Sequence, residues 1–216
     1  MTNFTIPSFA LAAAAAGLLL AGCGGGSSTT STSGSAEAQP EVTHTAVMKT
    51  SMGTIEIELY GKDAPKAVGN FVGLANKGFY KDILFHRVVP GFVIQAGDPK
   101  TKDPALVSEW GTGGNSIYPN ILFEDELNAQ TPSYKLGYRE GCLAMANSGK
   151  NTNTSQFFIV LDNNVKERLP HNYTIFGFVR SGMEVAHKIE GVKLGGMTGQ
   201  LPAEPIKIIS IEAAEE

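Results

Sequence analysis

Cysteine is nearly absent from this chain: among 216 residues only Cys23 and Cys142 carry a thiol. Two thiols make one bridge at most, so a small scaffold stapled by disulfides is excluded. The four histidines, His44, His86, His171 and His187, lack metal-ligand spacing and have no companion cysteine pair, so no metal site is expected. No glycine-rich loop is followed by Lys-Ser or Lys-Thr. Gly111-Thr-Gly-Gly114 lacks the lysine that a phosphate cradle requires and reads as a turn cluster. There is no run of consecutive lysines or arginines, and the formal net charge of -4 gives no electrostatic reason to expect nucleic acid. Gly141-Cys142 and Thr154-Ser155 have no nearby histidine base, which argues against nucleophilic hydrolysis. The acids of Phe123-Glu-Asp-Glu126 read as an acidic turn or strand end rather than a catalytic carboxylate pair.

Glycine, by contrast, is plentiful at 25 residues, with 11 prolines, and favours a turn-rich sheet protein over a helical bundle. The length allows one domain with a sizeable core plus a leader. The leader is residues 1–22. Its apolar stretch from Phe9 to Ala21 would cover about 20 Å as a helix, short of the roughly 30 Å hydrocarbon core, and so reads as a signal peptide. No Lys or Arg precedes that stretch. Leu20-Ala-Gly-Cys23 resembles the bacterial lipobox, in which cleavage precedes the cysteine and its thiol is acylated. Residues 23–42 would then be the lipidated cysteine and a tether. From Gly24 to Pro40 this segment is mostly Gly, Ser, Thr and Ala, too poor in bulky residues to offset its ordering entropy. With Cys23 carrying lipid, Cys142 has no partner and reads as a small buried hydrophobe.

Residues 43–216 behave as one unit. Ala46–Thr50 and Thr54–Tyr60 read as strands joined through Met52-Gly53, with Ile55, Ile57 and Leu59 alternating with Thr54, Glu56 and Glu58. Asp63 is placed to cap a helix carrying Val68, Phe71, Val72 and Ala75 on one face, with Gly78 ending it. Short strands are expected around Phe92–Gln95, Leu143–Ala146, Phe157–Leu161, Thr174–Val179 and Ile206–Ile211. Ser181-Gly-Met-Glu184 has the form of a capping box opening a second helix. Many short strands with two helices predict a mainly β fold, a closed or nearly closed antiparallel barrel with the helices plugging or covering its open ends.

The chemistry concentrates in two runs. Phe85-His-Arg-Val-Val-Pro-Gly-Phe-Val-Ile-Gln-Ala-Gly-Asp98 sets Arg87 and Gln95 in an otherwise largely apolar stretch. Leu143-Ala-Met-Ala-Asn147, continuing to Ser155-Gln-Phe-Phe-Ile-Val160, reads as the other half of the same site. An oily pocket with a few fixed polar groups suits a neutral ring on a peptide. Rotation about an X-Pro bond needs no nucleophile or cofactor; amide resonance opposes it with a barrier on the order of 20 kcal/mol. A guanidinium beside the prolyl nitrogen favours the twisted state, in which the lone pair is free to accept.

These blocks, with Asn151-Thr-Asn-Thr-Ser-Gln-Phe-Phe-Ile159, resemble the signature segments of cyclophilin-type peptidyl-prolyl cis-trans isomerases, and the likeness runs from about Thr43 to the C-terminus. The resemblance implies a closed eight-stranded antiparallel barrel capped by two helices. It implies Arg87 as the catalytic arginine, with Phe92, Val93, Phe158 and Leu169 lining a proline pocket. Gln95 would bond the substrate backbone and steady Arg87. Asn147 would hold the peptide through its main chain, and Ala146 and Gln156 would floor the neighbouring groove. His86 fits a structural histidine. Two departures bear on specificity: Arg168 stands where the best-known members have tryptophan, and Tyr173, an aromatic face with a hydroxyl, where they have histidine. That tryptophan helps bind cyclosporin, so reduced drug sensitivity is implied. Trp110 does not replace it and reads as loop packing.

The expected protein is thus a monomeric isomerase without cofactor, lipid-anchored through Cys23 in a bacterial cell envelope and facing the periplasm or exterior. Its partners would be proline-containing unfolded or loop-exposed polypeptides. The alternative reading is a non-catalytic cyclophilin-like module or chaperone that holds such segments.

Overall fold

The computed structural model describes residues 38–165 and 168–216; the expected leader, Cys23 and the tether up to residue 37 lie outside them. Glu37–Glu216 forms one compact unit. It begins with a hairpin, β1 (His44–Thr50) and β2 (Gly53–Leu59), and then α1 (Pro65–Asn76). Two short strands follow, β3 (Arg87–Val89) and β4 (Val93–Ala96). After two 3-10 turns, Pro99–Lys102 and Pro104–Glu109, come a short α2 (Pro132–Leu136), β5 (Cys142–Met145) and β6 (Phe157–Val160). The chain ends with β7 (Ile175–Ser181), α3 (Met183–Glu190), the small hairpin of β8 (Leu194–Gly195) and β9 (Leu201–Pro202), and β10 (Ile208–Glu215).

Eight of these strands form one curled antiparallel sheet in the order β10-β1-β2-β7-β5-β6-β4-β3. The expected closed barrel is corrected here: the ladder is open between β10 and β3. The start of β10 and the segment leading into β3 meet at the isolated bridge Leu84↔Lys207, with Phe85 N–H to Ile206 O at 3.0 Å, Ile208 N–H to Ile83 O at 2.8 Å and Asp82 N–H to Ile208 O at 2.9 Å. The outer edge of β3 is taken instead by the small hairpin, with Val88 N–H bonding Gln200 O at 2.8 Å.

The hydrophobic alternation of β2 holds: Ile55, Ile57 and Leu59 are buried while Thr54 and Glu56 are exposed. Inside the sheet, α1 inserts Phe71, whose ring meets Phe157 edge-on at 5.5 Å and Phe176 at 5.4 Å. Burial of such a ring stabilises by about 1.5–3 kcal/mol, with about 1 kcal/mol more for a well-placed aromatic pair.

Both expected side-chain caps are absent. Ala64, not Asp63, stands at the N-cap of α1, and Pro65 opens the helix. The free amides of Lys66 and Ala67 donate to the Glu126 carboxylate at 3.0 and 2.9 Å, a cap delivered from far along the chain. Asp63 accepts from Ser133 N–H at 2.7 Å instead. At α3 the N-cap is Gly182, at φ +91°, with no side-chain cap bond. The left-handed backbone there turns Ser181 away from the capping geometry that its spacing suggests. A third helix, α2, adds to the two expected; it is only five residues long and opens on Pro132.

Candidate functional site

The two polar-in-apolar runs become adjacent strands. Arg87 on β3 stands opposite Gln95 on β4, and Gln95 opposite Phe158 on β6, so all three side chains emerge on one face. That face is outside the curl. Val88, Ile94, Ala96, Phe157 and Ile159 point into the main core, whereas Val93, Ala144, Phe158 and Val160 belong to a second apolar cluster. The second cluster is covered by Leu169, with Phe92, Ala146 and Tyr173 packed against it. A sheet oily on both faces explains why the run reads as nearly continuous hydrophobe.

A depression of about 340 Å³ lies over this outer cluster. Arg87, Phe92, Val93, Gln95 and Phe158 line one part of it, and Ala146, Asn147, Leu169 and Tyr173 the rest. Phe158 and Val93 form the buried floor, and Tyr173 stands edge-on to Phe158 with centroids 5.4 Å apart. A second depression of about 450 Å³ shares Gln95, Ala146 and Asn147 with the first and continues past Gln156 along Gly111–Gly114. Every substrate-binding residue singled out in the sequence therefore lines one or both hollows.

Arg87 is half-buried and tightly held. Its Nη1 donates to Gln95 Oε1 at 3.2 Å and its Nε to Gln200 Oε1 at 2.9 Å. Gln95 Nε2 donates onward to Gln156 Oε1 at 3.0 Å, and Gln156 Nε2 to the carbonyls of Gly111 at 3.0 Å and Gly113 at 2.6 Å. The fully buried Asp98 anchors that loop, accepting from the amides of Gly111 at 2.5 Å, Gly113 at 3.1 Å and Lys100 at 2.8 Å. Burial lowers the pKa of Arg87 from its ordinary high value, with the nearby Tyr173 opposing. A guanidinium keeps its charge through such a shift.

Glycine is required at Gly97, between this relay and Asp98. Its φ is +100°, and a Cβ there would sit 2.3 Å from the Ser155 carbonyl oxygen. His86, one residue from Arg87, is buried, and burial lowers its pKa despite Asp98. Neither ring nitrogen reaches bonding geometry, although the Leu84 carbonyl and the Gln156 side chain lie close enough to oppose the shift. A neutral buried ring fits a structural part.

Three site residues escaped the sequence reading. Gln200 reaches Arg87 from a turn 113 positions away, with no local pattern to mark it. Asp125 accepts from Asn147 Nδ2 at 3.3 Å, Asn153 Nδ2 at 2.9 Å and Asn151 N–H at 2.7 Å, and so shapes the loop bearing Asn147. Arg168, noted only as a departure, lines the pocket with its guanidinium carbon 4.6 Å from the Phe92 ring centroid.

Among the described residues, the two nucleophile candidates are tied up within the fold. Buried Ser155 donates to Gly97 O at 2.6 Å, and burial pushes the Cys142 thiol up to about 12. A curled antiparallel sheet with an external apolar socket, a guanidinium held by two glutamines at its wall and an adjoining groove fits the class of proteins that bind extended peptide segments. The comparisons with known proteins narrow this. Residues 45–213 match the family described as cyclophilin type peptidyl-prolyl cis-trans isomerase/CLD. The chain is 42% identical over 167 residues to peptidyl-prolyl cis-trans isomerase-like 1 of Aspergillus oryzae, covering 77% of this chain and 93% of that protein. It is 42% identical over 166 residues to a peptidyl-prolyl cis-trans isomerase of Schizosaccharomyces pombe, covering 77% and 96%. Among solved structures, a cyclophilin-type isomerase of Cryptosporidium parvum superposes with a TM-score of 0.68 at 33% identity, over 81% of this chain and 99% of that one. The same Cryptosporidium protein determined in the presence of the dipeptide Ala-Pro gives a TM-score of 0.67. The chain belongs to the cyclophilin-type peptidyl-prolyl cis-trans isomerases.

Proposed function

We propose that this isomerase accelerates rotation about X-Pro bonds in exported or envelope proteins, with Arg87 as the catalytic residue. The observation that carries this reading is the guanidinium of Arg87, fixed by Gln95 and Gln200 at the wall of an apolar socket. The proline ring fills the space over Val93, Phe158 and Leu169, beside Phe92 and Tyr173. The backbone before it lies along Ala146, Asn147 and Gln156. In the planar ground state the prolyl nitrogen shares its lone pair with the carbonyl and is a poor acceptor. As the bond twists, the nitrogen becomes pyramidal and accepts from the guanidinium, so the contact strengthens in the transition state. Because the glutamine relay holds the donor beforehand, little reorganisation is needed during the reaction.

The envelope setting rests on the N-terminal sequence: an apolar stretch, Leu20-Ala-Gly-Cys23 and a Gly/Ser/Thr-rich tether. Acyl chains on Cys23, at about 0.8 kcal/mol per buried CH₂, would hold a monomeric enzyme at a membrane with its domain free to reach emerging segments. Exchange NMR on an Ala-Pro peptide tests the catalytic part. Arg87→Ala is expected to lose most of the acceleration while retaining the circular-dichroism spectrum of the wild type; undiminished exchange would overturn it. Metabolic labelling with palmitate tests the anchor, which requires label on the wild type and none on Cys23→Ser.

A further inference from the structure

The socket contains a second guanidinium that the rotation mechanism does not use. Arg168 is exposed, stacks on the face of Phe92, and donates through Nη2 to the Gly91 carbonyl. Among the described residues neither Arg87 nor Arg168 has a carboxylate within ion-pairing distance, and no acidic side chain lines the pocket. The chain as a whole carries a formal charge of -4, whereas the described side chains lining this pocket include two cations and no acid; the Glu190 carboxylate just beyond it is engaged by Gly91 N–H. Gln95, Ala146 and Asn147 line both the socket and the groove, whereas Phe92, Arg168 and Leu169 line the socket alone. A peptide that occupies the groove and places proline in the socket therefore leaves beside Arg168.

Building on the reading of this pocket as the X-Pro site, we propose that Arg168 is a specificity-determining residue. It selects segments with an Asp or Glu side chain within two residues of the proline, on the flank that exits past Phe92. Two features suit it to this. The planar guanidinium is already stacked and held, so gripping a carboxylate restricts it little further. Among the described residues Gly91 O takes only part of its donor fork, which leaves N–H groups for an arriving anion. An apolar wall at the same place would accept flanking residues without regard to charge.

The test is exchange NMR on Ala-Ala-Pro-Ala-Ala amides carrying Glu, Gln or Lys at each position flanking proline. For the wild type, kcat/KM for the Glu peptide should exceed that of its Gln counterpart about three- to fivefold on one flank only, with Lys below Gln. About 0.5 M salt should shrink the ratio, because the contact is exposed. Arg168→Gln should bring the ratio to about one, and Arg168→Lys should retain part of it. A wild-type ratio near one on both flanks, an equal gain on both, or a gain that survives in Arg168→Gln would overturn the proposal. Failure to isomerise any of the peptides would sink the X-Pro reading instead. The Glu-to-Gln affinity ratio from chemical-shift titration of the same peptides would then decide the role of Arg168.

Discussion

Arg87 and Gln95 face each other across the β3–β4 ladder, and the side-chain Oε1 of Gln95 accepts from Arg87 Nη1 at 3.2 Å. The glutamine is therefore part of the arginine's mounting as well as of the pocket wall. Hydrogen bonds to a charged group are worth about 1.5–3 kcal/mol. Gln95→Ala is expected to lower kcat/KM about tenfold, with peptide affinity falling less than turnover. Steady-state analysis by exchange NMR separates the two; an equal fall in affinity alone would assign Gln95 to binding rather than mounting.

At the far end of the same relay, Asp98→Ala removes the acceptor of three amides. The partly buried N–H groups left without their acceptor should cost about 1–3 kcal/mol of stability, and the carbonyls of Gly111 and Gly113 that hold Gln156 should lose their position. Urea unfolding reads the first effect, and loss of isomerisation well below the unfolding midpoint reads the second.

His187 lies between two carboxylates, at 2.7 Å from Glu190 and 2.8 Å from Glu140, and these hydrogen bonds raise its pKa above the ordinary 6.5. The stability this contributes is fully present below about pH 6.5 and is lost as pH rises through the raised folded value. The ring is exposed, so the effect is modest. Melting temperature measured from pH 5 to pH 9 should show the wild type ahead of His187→Gln at the acid end, with the gap closing toward the alkaline end.

Burial of the Cys142 thiol, with a pKa pushed up to about 12, leaves on the order of one thiolate in ten thousand at pH 8. Iodoacetamide should modify Cys142 only after denaturation. Mass spectrometry of the folded protein with label at that position would contradict the burial.

Much of the pocket was legible because its residues fall in two short runs whose strands pair directly, so Arg87, Gln95 and Phe158 share a face by register alone. The interior face of β2 was legible for the same reason. What could not be read depends on meetings between distant segments. Gln200 sits in a turn whose sequence gives no sign of Arg87, and Glu126 caps α1 from 60 positions away. The local capping spacings at Asp63 and Ser181 were misleading because Asp63 is claimed by Ser133 and Gly182 takes a left-handed backbone. Closure of the sheet was overestimated because the β8–β9 hairpin, far along the chain, takes the outer edge of β3.

The floor of the socket is the reverse side of strands whose other side is locked into the main core around Phe71. A peptide seated in the socket as proposed would rest on a packed double-sided layer, so that its own bond could twist while Val93 and Phe158 stay in place. Amide exchange along β4 and β6 should consequently be among the slowest in the molecule and change little on peptide binding, with the response confined to Gly111–Gly114 and Asn147–Asn151. Substitutions on the outer layer can retune which peptides are accepted without reopening the problem of folding.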